Sequence, residues 1–351
     1  MRVLIDLQGA QTESRFRGIG RYSTSLAQAM ARNAGEHDIW VAVNATFPDG
    51  IDDIRASLDG LIPQDRIRAF HTLRDVGWPR REDTWRREAS ERMWETFLHG
   101  LQPDIVHVSS LFEGSQGGAV TSIGKLQSLS IPTAVTLYDL IPLLNPDSYL
   151  GSDWVRSWYM DKVESLKRAS LLLSISEHAR TEALGAMAMD PAKIVNMSSA
   201  ISPHFLPQAI GEAERSLLRS RFGITGAYVM YSGAMEPRKN AERLLSAFAM
   251  LGAEHLSRTQ VVIAGKIAAH DRIRFDELTA RLGIADRVVL TGFITDDELI
   301  TLYSAASAYV FPSLHEGFGL PALGAMAWGA PTIASATTSV PEVIGRPDAL
   351  F

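Results

Sequence analysis

Three short runs hold the residues with the clearest chemical potential. In Phe311 to Gly329, FPSLHEGFGLPALGAMAWG, one carboxylate, Glu316, lies among glycines, and Pro321 opens a segment rich in Ala, Leu and Met that reads as a helix. The apolar run just before it, Ala305 to Val310, reads as a buried strand that Pro312 ends, because proline donates no ladder hydrogen bond. Strand, Gly-rich loop and helix is how an α/β sheet turns backbone N–H groups toward an anion. An ordinary βα turn with glycines for packing is the alternative. In Tyr231 to Asn240, YSGAMEPRKN, Gly233 precedes Arg238 and Lys239, which enter a helix. Adjacent cations there oppose the macrodipole, a cost that a bound anion would relieve. In Gln8 to Ser23, which contains RFRGIGRYS, Gly18 and Gly20 would let backbone approach a ligand, and Arg15, Arg17 and Arg21 offer donors suited to phosphate. A long surface loop with solvated arginines is the other reading.

Other positions divide between chemistry and structure. Tyr138 and Asp139, in LYDLIPLL, fall at the end of a buried strand, where ligands of open α/β sheets bind, but Asp139 also suits a turn or N-cap. His107 closes the preceding strand as either a satisfied structural residue or a catalytic one. Ser174 and Ser176 suit a helix N-cap. From Arg80 to Leu98, Trp85, Ala89, Met93 and Phe97 recur at helical spacing with Trp94 beside them, which points to a core-packed helix with a solvated Arg/Glu face; membrane docking or acceptor contact is the alternative.

The elements that would position these residues follow from the alternation of short β-type runs and helical stretches, the pattern of a mostly parallel sheet covered on both faces. Expected strands are Arg2 to Leu7, Ile39 to Val43, Arg66 to Phe70, Ile105 to Val108, Thr133 to Leu137 and Leu171 to Ser174. The same grammar restarts with Tyr228 to Ser232, Gln260 to Ala264, Arg287 to Thr291, Ala308 to Phe311 and Pro331 to Ala334. Ile201 to Gln208, ISPHFLPQ, suits a linker, so two domains are expected, 1–205 and 206–351. A helix near Pro341 followed so soon by Phe351 makes the second domain look incomplete, as in one module of a longer polypeptide.

Composition narrows the function. With 351 residues, 34 basic and 40 acidic side chains and a net charge of -6, the chain is a poor partner for nucleic acid. The absence of Cys excludes disulfides, thiolate zinc sites and a Cys nucleophile. No signal-peptide h-region and no membrane-spanning run is present, so a cytoplasmic location is expected. The sequence has no Walker A loop, HExxH pair, GxSxG elbow or Asp-x-Asp motif, so phosphate binding would rest on Arg, Lys and backbone N–H groups, without metal. Ser23 and Asn44 stand where a dinucleotide fingerprint needs a third glycine or alanine and an acidic residue, which argues against a nicotinamide dehydrogenase.

GIGRYS, SGAMEPRKN, GFITDDELITLYSAA and FPSLHEGFGLPAL with AMAWGAP behind it are together specific, and on them the whole chain resembles the retaining glycosyltransferases of family 4. Its openings are similar to the branch that builds bacterial surface polysaccharides, including O-antigen mannosyltransferases. The resemblance implies the GT-B fold, two Rossmann-like domains facing each other across a cleft, with the acceptor on the first and a sugar nucleotide on the second. It implies transfer of a hexose, mannose from GDP-mannose above all, to a lipid-linked glycan, with no metal or other cofactor. It also implies peripheral contact with the inner face of the cytoplasmic membrane and further glycosyltransferase modules in a longer protein. By the same resemblance Lys239, with Arg238, meets the diphosphate, Gly18, Gly20 and Gly233 approach it, and Glu316 contacts sugar hydroxyls. The backbone of Gly317, Phe318, Gly319 and Leu320 wraps the sugar-phosphate, and Asp139 belongs to the acceptor side of the catalytic set. Three positions depart from the family pattern: Gly324 stands where a second glutamate holds the ribose, Ala234 where an arginine is common, and Tyr138 where many relatives have histidine. Gly324 keeps open a second reading, a catalytically silent GT-B module that serves as scaffold or acceptor holder.

Overall fold

The computed structural model describes residues 1–78, 84–126, 131–207 and 209–351. Gln208 of the expected linker and Arg80 to Asp83 of the expected helix lie outside the described residues. The chain forms two compact units, Met1–Ser198 and Ser199–Phe351. The expected boundary after residue 205 falls inside the second unit, because Phe205, on the turn Pro203–Phe205, packs against that unit's core.

The first unit is a parallel sheet of seven strands, β1 (Arg2–Asp6), β2 (Asp38–Asn44), β3 (Ile67–Phe70), β4 (Ile105–Val108), β5 (Thr133–Leu137), β6 (Leu171–Ser174) and β7 (Ile194–Asn196), in the order β3-β2-β1-β4-β5-β6-β7. The second has five, β8 (Ala227–Ser232), β9 (Thr259–Ala264), β10 (Val288–Gly292), β11 (Ala308–Phe311) and β12 (Thr332–Ala334), in the order β10-β9-β8-β11-β12. Every strand expected from the sequence is present within one residue at each end. β7 was not expected: it is three residues long, pairs only with β6, and leaves Val195 exposed, so no run of buried residues announces it.

Period-two alternation explains why both faces of each sheet are covered. In β8, Tyr228 and Met230 enter one core and Val229 and Tyr231 the other; in β9, Val262 and Ala264 oppose Val261 and Ile263 in the same way. Both faces of such a strand are apolar, so helices must lie on both. Helix ends carry their own signals: Asp296–Ala305 starts with a full capping box, Thr295 with Glu298.

The helix Thr84–Gly100 corrects one expectation. Its buried face is Ser90, Glu91, Trp94 and Leu98, whereas Trp85 and Met93 are exposed. Both stripes repeat every four residues, so periodicity alone could not choose between them. Burial of Trp94 comes with a polar anchor, because its Nε1 donates to Asp6 Oδ2 at 2.9 Å.

Strand order reverses beside β1 in the first unit and beside β8 in the second, and such switch points are where open α/β sheets bind ligands. In the first unit the crevice is filled from within. Gln8 Nε2 donates to the carbonyl of Val120, Val120 N–H returns to Gln8 Oε1 at 2.9 Å, and Asn44 Nδ2 donates to the Gly118 carbonyl at 3.0 Å. Asp6 in turn accepts from Gln8 N and Nε2 at 3.1 and 3.0 Å. Burial pushes its carboxyl up to about 6, against the opposing pull of these hydrogen bonds. Asn44, read as a missing ribose acid, is a member of this network.

Candidate active site

The second unit has its switch point between β8 and β11. After β8 the chain runs through Gly233 to a single turn, Pro237–Lys239, and then into the helix Ala241–Ala249. After β11, the neighbour of β8, it runs through Pro312 to Glu316. Backbone and side-chain bonds join the two loops: Leu314 N–H donates to the Arg238 carbonyl at 2.7 Å, and Asn240 Nδ2 to the Pro312 carbonyl at 3.1 Å. Asn240 makes that bond from a left-handed backbone, φ 59°, a region asparagine tolerates better than most residues.

This clamp sets Lys239 against Glu316. Lys239 Nζ donates to both carboxylate oxygens, at 2.6 and 2.8 Å, and Arg238 reaches Oε2 at 3.3 Å while also donating to the His315 carbonyl at 2.9 Å. Arg238 is paired as well with Glu236 at 2.9 Å. Burial of Glu316 raises its pKa, but the charges of Lys239 and Arg238 outweigh burial and hold the carboxyl below its ordinary value, so it is ionised at neutral pH. Glu316 N–H donates to Thr338 Oγ1 at 3.1 Å, and Ser339 Oγ donates to the carbonyls of Glu316 and Phe318 at 2.9 Å each. Thr338 and Ser339, from the segment after β12, thus brace the loop, a role no sequence pattern marked.

The expected glycines have distinct reasons. At Gly233, φ is 148° and a Cβ would come within 2.9 Å of the Tyr231 hydroxyl, which donates to the Ala234 carbonyl. Gly319, φ 125°, is the last residue before the helix Leu320–Ala327, so a side chain there would strain the turn. Gly317 and Phe318 are buried in the same loop.

Gly324 lies on the helix that follows the loop. It is buried in the helix Leu320–Ala327, and a Cβ built on it lies 3.5 Å from Tyr303 Cε2 and 3.7 Å from Phe205 Cδ1, both members or neighbours of the unit's core. Such contacts are ordinary, and glycine inside a helix is less stable than alanine, so Gly324→Ala should stabilise the protein by about 0.5–1 kcal/mol. Denaturant unfolding checks this, and a loss of stability would show that the ring contacts are tighter than they look.

The remaining expected residues lie in the first unit. Gly18 and Gly20 belong to the first turn of the helix Gly18–Arg32. A Cβ on Gly20 would fall 2.3 Å from Arg15 Cα, so glycine is required there by the packing of the turn Glu13–Phe16 on the helix; Gly18 has open space around its Cβ direction. Asp139 Oδ1 accepts from Ile141 N–H at 3.1 Å, the turn role. The Tyr138 hydroxyl lies 3.1 Å from Ser23 Oγ, and burial raises its pKa strongly. His107 Nε2 meets Thr136 Oγ1 at 2.9 Å, and burial lowers its pKa to about 4, so it is a neutral structural residue. Ser176 Oγ accepts from Ala179 N–H at 3.0 Å as an N-cap. Glu113, not singled out from sequence, is buried with its oxygens taken by Thr12 and Ser110 hydroxyls at 2.8 and 2.9 Å.

Comparison with known proteins agrees with this division. Residues 17–198 match the glycosyl transferase 4-like domain and residues 218–348 the glycosyl transferases group 1. The chain is similar to the serotype-specific mannosyltransferase WbdA of Escherichia coli, 35% identical over 353 residues, which cover 100% of this chain and 42% of that protein. It is also similar to the O-antigen chain mannosyltransferase B of Escherichia coli, 35% identical over 60% of this chain and 55% of that one. The chain thus spans less than half the length of WbdA. Among solved structures, Anabaena HepE in complex with UDP and glucose superposes with a TM-score of 0.65 at 16% identity, over 97% of this chain and 82% of that one. With both family matches, two parallel Rossmann-like units and these relatives, the chain belongs to the family 4 glycosyltransferases of the GT-B fold.

Proposed function

We propose that this chain transfers a hexose, mannose first among candidates, from a nucleoside diphosphate sugar to a growing lipid-linked glycan with retention of configuration. The observation that carries the reading is the Lys239–Glu316 pair at the open switch point of the second unit, with Arg238 beside it. Lys239 and Arg238 meet the negative charge that grows on the leaving diphosphate, and the carboxylate of Glu316 accepts hydroxyls of the sugar. The leaving oxygen takes the acceptor's proton, so no protein nucleophile and no divalent cation enters the proposal. The Gly233 loop and the Gly317–Leu320 backbone complete the donor contacts of the second unit in this reading. GDP-mannose is the favoured donor because the relatives that match the chain are mannosyltransferases.

Among the described residues no helix is long and apolar enough to cross a membrane, and contact with the inner face of the cytoplasmic membrane would come through the acceptor. A scaffold role remains the second reading, favoured by the missing carboxylate at Gly324. The deciding measurement is thermal unfolding with GDP-mannose, UDP-glucose and their parent nucleotides, followed by product analysis in EDTA. A rise of about 5 °C with a sugar nucleotide at a hundredfold excess over Kd, together with product, supports the enzyme. A shift without turnover supports the scaffold; neither shift nor product with any donor overturns the enzyme reading.

A further inference from the structure

The cations offered to the diphosphate already hold an anion of the protein's own. Lys239 spends two hydrogen bonds on Glu316, Arg238 divides itself among Glu236, Glu316 and the His315 carbonyl, and these four side chains together carry no net charge. Glu316 is 6% exposed, so bulk water screens this competition poorly. Its backbone is fixed by Thr338 and Ser339, so the carboxylate cannot drift away from an incoming phosphate.

We infer that Glu316 is a specificity-determining residue that makes the site favour the intact sugar nucleotide over the nucleoside diphosphate it becomes. The inference rests on the proposed function. During transfer the bond from sugar C1 to the diphosphate oxygen breaks and a bond from C1 to the acceptor oxygen forms. The leaving diphosphate oxygen takes the acceptor's proton and then loses it to water, so the free diphosphate carries one more negative charge than it did in the donor. The donor brings neutral sugar hydroxyls that satisfy Glu316 as Lys239 turns to the phosphates. The bare diphosphate brings extra negative charge and nothing for the carboxylate to accept. Glu316 therefore repels the product more than the donor and promotes its release.

The test is calorimetric titration of the wild-type chain and the Glu316→Gln and Glu316→Asp variants with GDP, and with UDP in parallel. Loss of the carboxylate charge in Glu316→Gln should tighten binding of the bare diphosphate about tenfold, while Glu316→Asp, which keeps the charge, should stay near wild type. Glu316→Ala replaces the Gln variant if that one does not fold. Equal or weaker GDP and UDP binding without the carboxylate overturns the inference while leaving the proposed function standing. If neither nucleotide nor any sugar nucleotide binds any of these proteins, the proposed function falls and this inference with it.

Discussion

Lys239→Ala should lower the rate of sugar transfer by about a hundredfold to a thousandfold, the scale found when one preorganised partner of a developing anion is removed, about 3–4 kcal/mol. The expectation follows from placement. Lys239 stands on a rigid turn whose neighbours, Asn240 and Arg238, are tied by hydrogen bonds to the loop after β11. The backbone that carries its ammonium is therefore fixed before any charge develops, and the ammonium has only to pass from Glu316 to the phosphates. Lys239→Arg should recover only part of the rate, because a planar guanidinium cannot reproduce a point charge 2.6 and 2.8 Å from both oxygens of Glu316. Steady-state kinetics with saturating donor checks the effect; a variant within tenfold of wild type would remove Lys239 from the chemistry.

Removing the charge of Lys239 should also destabilise the protein, which gives the second large effect. Lys239→Met leaves the buried carboxylate of Glu316 with Arg238 alone, and breaking a buried pair in this way costs about 3 kcal/mol. The double variant Lys239→Met/Glu316→Leu removes both charges and should regain most of that stability while remaining inactive, since an apolar replacement for a buried pair is often neutral. Chemical denaturation of the two single variants and the double gives the coupling energy. Additive losses would mean that the pair contributes nothing to folding. The cycle also separates a lost catalytic charge from a damaged fold in the kinetics of Lys239→Ala.

Much of the fold was legible because it rests on local rules. Buried parallel strands read as short apolar runs, and Pro312 and the glycines after β8 and β11 punctuate them where the sheet ends. Glu316, Lys239 and Arg238 were legible as site residues because charge beside glycines at a strand end is unusual. What they do to one another was not. That Lys239 takes both oxygens of Glu316 depends on β8 and β11 being neighbours, a contact spanning 77 positions in the chain. The neighbours of Gly324 were hidden for the same reason: a motif offset fixes a position along a helix, while the fold brings the rings of Tyr303 and Phe205 to it. The Trp85 stripe misled because an exposed tryptophan and a buried one share the same spacing on one helix.

The filled crevice of the first unit bears on what redesign of that half can achieve. Gln8, with both ends of its amide engaged by Val120, acts as a permanently bound substitute for a ligand, and Asn44 fixes the same loop at Gly118. A single substitution that emptied the crevice would strand buried donors and acceptors before it admitted a nucleotide. Turning the switch point of this sheet into a ligand site would require excising and resealing the loop 109–123 as a unit.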